Sequence, residues 1–188
     1  MPRRSLLSVL AGSQSPPAAA PADTDFAAFA ESIELGLVSL YNQTIAKLTA
    51  DNVAVASRFR DHHQDHATAY AALAASKATG KPNSALLFAT GATLQAVTDQ
   101  VSALAFLIGL ENEMAETYTY ALGTLVTPDV YQRAVTTLPV ESEHAAVLGS
   151  MTDLPAAGLF ITGPFENASV GDGTDTRRGF DPAVFPVG

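Results

Sequence analysis

The chain contains no cysteine. That absence excludes disulfides, thiolate metal sites and cysteine nucleophiles, and it fits any redox compartment, so it does not place the protein. Positive charge is scarce: 10 Lys and Arg stand against 19 Asp and Glu, a net charge of −9. Such a balance argues against nucleic acid as a partner and against docking on anionic membranes through a basic patch. No apolar run approaches the ~20 residues of a membrane-spanning helix. Long β-branched runs are missing, and with them the strand-and-elbow setting of a Ser–His–Asp hydrolase. What is present is apolar and rich in alanine. Hydrophobic residues make up 47% of the 188 and charged residues only 15%. This is the composition of one globular, helical domain with a real core.

The two ends read differently from the middle. Residues 1–23 carry Arg3-Arg4, a short apolar run over Ser5–Gly12 and the small-residue stretch "AAAPA". This segment resembles a worn twin-arginine export signal, which implies delivery to the cell envelope. The alternatives are a disordered tail on a cytoplasmic protein, or a docking peptide. Residues 152–188 are rich in Gly and Pro without helical period, yet they hold Leu154, Phe160, Ile161, Phe165, Phe180 and Phe185. So apolar a tail is expected to pack on the bundle, on a second copy of the chain or on a protein partner.

Between them, residues 24–151 show four helical periods. The expected helices run from about Asp25 to Leu48, Asn52 to Ala78, Thr93 to Gly123, and Pro128 to Met151, with Thr24 or Asp25 capping the first and Thr127 the last. The first and second, and the third and fourth, are joined by only a few residues, so each pair must form a tight antiparallel hairpin. The stretch between the pairs, "TGKPNSALLFATGA", is read as irregular; at ~3.3 Å per residue it is long enough to cross a bundle lengthwise. The fold expected is all-α: a four-helix bundle of two hairpins joined by a long crossover.

Polar residues repeat across the halves. Glu34 precedes Tyr41 by seven positions, and Glu111 precedes Tyr118 by seven. Glu34 to His66 spans 32 positions and Glu111 to His144 spans 33, so the chain reads as a diverged hairpin duplication. Glu111 falls among Leu107, Ile108, Met114, Ala115 and Tyr118, on a face turned to the core. A carboxylate there costs several kcal/mol unless paired or bound to metal. Glu34 is the inward carboxylate of the first helix, with Glu31 one turn earlier as its substitute. Glu141 and His144 stand i,i+3 on the fourth helix, and His63 and His66 do so on the second. His62 is assigned to the surface, because His62 and His63 cannot both point inward. Pro139 removes a backbone donor and is expected to kink the fourth helix. Tyr41 and Tyr118 fit either core packing with a satisfied hydroxyl or a redox role.

Glu–x6–Tyr on the first and third helices, with "HQDH" and "ESEH" on the second and fourth, resembles the ferritin-like superfamily of carboxylate-bridged di-metal bundles. The nearest resemblance is to the bacterial, often exported, ferritin-like domain proteins, over about Asp25 to Met151. It implies a ligand set of Glu34, His63, His66, Glu111, Glu141 and His144 for one or two transition-metal ions, Fe, Mn or Zn. "ESEH" matches the family's Glu-x-x-His, whereas "HQDH" departs from it: His63 stands where a glutamate would bridge. The usual four carboxylates and two imidazoles neutralise two divalent ions. Three of each leave a residual +1, unless Asp61 or Asp65 turns inward, and they put efficient ferroxidase activity in doubt. Three imidazoles favour Zn, Cu, Ni or Fe over Mg or Ca. The function implied is a ferritin-like metal-binding protein with oxidase or stress-protective metal chemistry. The alternative is a metal-free structural or interaction bundle of the envelope or of the desiccation response. An apolar-ligand binder ranks third.

Overall fold

The computed structural model describes residues 21–152 and 179–188. The leader-like residues 1–20, and the tail residues Leu154, Phe160, Ile161 and Phe165, lie outside the described residues.

Among the described residues five helices follow one another: α1 (Pro21–Thr44), α2 (Ala50–Ala74), α3 (Ser84–Gln95), α4 (Gln100–Leu122) and α5 (Pro128–Ser150). Single 3-10 turns, Ile45–Lys47 and Ala75–Lys77, extend α1 and α2. α1 packs chiefly on α2, and α4 on α5. The expected all-α architecture of two hairpins and a long connection is the one found. Among the described residues no helix is long and apolar enough to cross a membrane.

Local chemistry corrects several boundaries. α1 already includes Thr24 and Asp25, the expected caps, so neither stands at its start. The connection is not irregular: it holds the 12-residue α3, begun by Asn83, whose side chain accepts the Leu86 N–H at 3.0 Å. The third long helix therefore begins at Gln100, not Thr93. Asp99 and Ser102 close a reciprocal capping box there, with Ser102 N–H on Asp99 at 2.9 Å. Thr127 stands at the N-cap of α5 but makes no capping bond with its side chain. Instead Asp23, buried on α1, accepts the N–H groups of Val126 and Thr127. α5 runs as one continuous helix through Pro139.

The crossover is tied down by buried polar groups. Asn83 donates its backbone N–H to Ser32 O at 2.8 Å and its side-chain amide to Ser32 Oγ at 3.1 Å and Phe185 O at 3.1 Å. α3 lies so close to α1 that a Cβ on Gly36 would come within 2.8 Å of Leu86. Phe29, Ile33, Leu37, Leu104, Leu107 and Leu148 fill the interior. Of the C-terminal segment, Phe180 is buried against the bundle, its N–H on Thr117 Oγ1 at 2.7 Å, and its ring meets Phe185 edge-on.

Gly179 sets the entry of that segment. Its φ is +60°, and a Cβ there would collide with the Glu113 carbonyl and the Thr117 amide. Gly179→Ala is therefore expected to unseat Phe180 and cost about 1–3 kcal/mol, read as a lower urea midpoint and faster proteolysis of the C-terminus. Gly91→Ala, in the open middle of α3 with nothing near its Cβ, should instead be neutral or stabilising by about 0.5–1 kcal/mol.

Candidate metal centre

At the middle of the bundle the structure brings all six sequence-predicted side chains together. α1 supplies Glu34, α2 His63 and His66, α4 Glu111, and α5 Glu141 and His144. Each i,i+3 pair shares one helical face, which turns both members to the same interior point. Glu34, His63, Glu111 and Glu141 are fully buried, His144 nearly so, and the His66 side chain is 12% exposed, the one partial opening among the six.

His63 lies between two carboxylates, with Nδ1 2.7 Å from Glu34 Oε2 and Nε2 3.0 Å from Glu111 Oε1. His144 Nδ1 faces Glu111 Oε2 at 3.2 Å and Glu141 Oε2 at 3.5 Å. His66 Nδ1 is 2.8 Å from Glu141 Oε1, close enough for a hydrogen bond but too far off line to be one. Both oxygens of Glu141 and this His66 nitrogen are consequently buried without a hydrogen-bond partner.

The tyrosines bind crosswise. Tyr41 of α1 donates its hydroxyl to Glu111 of α4, and Tyr118 of α4 donates to Glu34 of α1. Burial, with the neighbouring carboxylates Glu111 and Glu34, raises both phenols well above their ordinary range, so both remain donors. Each hairpin thus holds the other hairpin's carboxylate in place.

His62, assigned to the surface from its sequence position, is half-buried instead. Its Nδ1 meets Nε2 of His144 at 2.9 Å, and the two rings stack with Phe59 against the outer side of His144. His62 and Phe59 thus hold the His144 ring in one orientation from outside the cluster. The cue for it was Phe59, which continues the inward stripe of α2 one turn earlier. Glu31, the substitute for Glu34, is buried elsewhere and accepts the N–H groups of Thr79 and Gly80 at 2.8 and 2.9 Å. Asp61 and Asp65 are exposed, so neither supplies the missing carboxylate.

Burial pushes every group in the cluster toward its neutral form. For Glu34 that push is outweighed by His63 and His66, and its pKa falls from 4.5 to about 2. Glu111 is held still lower, burial being overcome by His63 and His144. For His66, burial is overcome by Glu141 and Glu34, which lift the pKa from 6.5 to about 9. His63 and His144 are also raised, against burial, by their carboxylate neighbours. Glu141 stands apart: burial raises its pKa, His63 only partly opposes this, and Glu34 adds to the rise.

Two overlapping groups have the donor types and spacing for a metal ion: Glu34, His63, His66 and Glu141, and His63, Glu111, Glu141 and His144. Within each group the ligand atoms lie within 4.8 Å of one another. Compared with known families, residues 18–153 match the family model described as "Ferritin-like domain". Comparison with curated proteins and with solved structures finds no match.

The shifts fix a pH profile for the metal-free chain. Glu34, depressed from 4.5, stabilises above that value and loses its contribution as pH falls toward 2. His66, raised from 6.5, stabilises below that value and loses its contribution as pH rises through 9. Urea midpoints in chelator should peak between pH 4.5 and 6.5 and fall on both sides. With metal present the alkaline fall should flatten or reverse, because metal displaces protons from its ligands.

Proposed function

The chain belongs to the ferritin-like domain family, and on that premise we propose that it binds transition-metal ions between its two hairpins for oxidase or stress-protective metal handling. The observation that carries this reading is Glu141: a carboxylate with both oxygens buried, without a hydrogen bond, and within 4 Å of three imidazoles. Left uncompensated, such a group costs several kcal/mol. A divalent ion would compensate it while taking the lone pairs of His66 and His144.

In this reading Glu34, Glu111 and Glu141 supply charge, and His63, His66 and His144 supply nitrogen donors that favour Zn, Cu, Ni or Fe over Mg or Ca. Tyr41 and Tyr118 orient Glu111 and Glu34 through one oxygen and leave the other free to ligate. His62 and Phe59 hold the His144 ring. A redox-active ion bound here would supply electrons to a small oxidant. The 12% opening at His66 is the nearest approach to solvent for an incoming ion. Location in the cell envelope is part of the same proposal and rests on the Arg3-Arg4 segment alone.

A second reading has its own observation. His63 makes good hydrogen bonds through both nitrogens, as an imidazolium would between two carboxylates. Protons alone can then neutralise the cluster, and the bundle would be a metal-free structural or interaction module.

Elemental analysis of untagged protein separates the two. The first reading expects one or two metal equivalents after incubation with Fe²⁺, Mn²⁺ or Zn²⁺, lost in Glu111→Ala/His144→Ala protein whose helical circular dichroism persists. Wild-type protein that stays metal-free would sink it. Glu31→Ala should keep wild-type metal content while losing about 1–3 kcal/mol of stability, since it leaves two backbone donors unpaired.

A further inference from the structure

The replacement of a bridging carboxylate by His63 raises the question of how many ions the centre holds. A glutamate offers two oxygens on one carbon. A histidine offers two nitrogens on opposite edges of a ring. In this structure both edges are in use: Nδ1 points to Glu34 of α1 and Nε2 to Glu111 of α4. Glu141 also reaches both groups, with its Oε2 3.7 Å from His63 Nδ1. Its Oε1 lies beside His66, at 2.8 Å, and its Oε2 beside His144, at 3.5 Å. The two candidate groups share only His63 and Glu141.

We propose that the centre is dinuclear and that His63 bridges the two ions through both ring nitrogens, with Glu141 as the second bridge. This rests on the metal-binding reading above. One ion is then held by Glu34, His66, His63 Nδ1 and Glu141 Oε1. The other is held by Glu111, His144, His63 Nε2 and Glu141 Oε2. Each set has two nitrogens and two oxygens, the donor mixture and number that suit four-coordinate divalent ions such as Zn²⁺ or Cu²⁺.

The charges close as well. An imidazole bound through both nitrogens carries no ring N–H; its ring protons pass to solvent as the metal–nitrogen bonds form, and no electron is transferred. The resulting imidazolate and three carboxylates total −4, which balances two divalent ions. The residual +1 expected for a neutral histidine disappears. The match follows the duplication: Glu34 with His66, and Glu111 with His144, are equivalent pairs from the two halves. The bridges are the two remaining members of the i,i+3 pairs.

Copper(II) tests this through its unpaired spin. Chelator-stripped full-length protein is titrated with Cu²⁺ at alkaline pH, bound copper is counted by elemental analysis, and electron paramagnetic resonance is recorded at each step. The proposal expects two bound equivalents, with the spectrum of the first ion lost as the second enters, because the imidazolate couples their spins. In His63→Gln, which has no second nitrogen lone pair, the imidazolate coupling should be lost and the signal change, since only Glu141 is left to link the ions. His63→Glu, which restores a carboxylate of similar reach, controls for folding and should hold two ions with a different coupling. One bound equivalent in wild type, two with the full signal, or coupling that persists unchanged in His63→Gln would overturn the bridge while leaving metal binding intact. No bound copper in wild type would overturn both.

Discussion

Three carboxylates buried at the centre of an alanine-rich bundle are the constraint on which the rest of this structure depends. Removing a carboxylate from water costs several kcal/mol even after relaxation, and the surrounding core of Leu, Ile and Met offers nothing in return. Each carboxylate must therefore find its compensation among side chains that the fold brings from elsewhere. Glu34 and Glu111 find it in His63 and in the tyrosine of the opposite hairpin. Glu141 does not find it in hydrogen bonds at all. Glu141 is thus the carboxylate of the cluster that hydrogen bonds leave unsatisfied.

The compensation also couples the hairpins. Contacts within α1–α2 and within α4–α5 are the most extensive, whereas α1 and α4 meet less extensively. Between the hairpins run the Tyr41–Glu111 and Tyr118–Glu34 bonds and one arm of His63, from Nε2 to Glu111. A duplicated hairpin has no intrinsic reason to pair with its copy in one register, and directional polar bonds at the centre supply one. Asp23, Glu31 and Asn83 do related work at the periphery, where each accepts backbone N–H groups of a connection between helices. The long crossover is thereby held as a fifth helix against α1 rather than left as a strap.

Substitution at position 63 changes the chemistry while keeping the architecture. A carboxylate there would add charge, whereas imidazole can carry a proton between two carboxylates or present two lone pairs to cations. The same ring therefore serves a proton-filled or a metal-filled cluster, and both can be electrically neutral. His62, on the adjacent position, supports His144 from outside the cluster, so the "DHHQDH" stretch contributes to two layers of one centre.

Most of the centre was legible in the amino-acid order, because a helix places i and i+3 on one face whatever surrounds it. That rule put His63 with His66 and Glu141 with His144, and the matched spacing of the two halves pointed to Glu34 and Glu111. The short loops near Asp51 and Thr124 likewise dictated two antiparallel hairpins. Other features were decided only in three dimensions. Glu31 and Glu34 lie one turn apart with similar neighbours in sequence, and only the approach of Thr79 and Gly80 makes one a backbone brace and the other a member of the cluster. Thr127 looked like a helix cap, yet Asp23 takes that role from across the bundle. α3 was hidden in a stretch read as loop, where the Asn83 cap outweighed the breaking effect of its glycine and serine. Helical period is a property of neighbouring residues and can be read from them. Which buried polar group answers which depends on partners dozens of positions away, and those partners are chosen by packing.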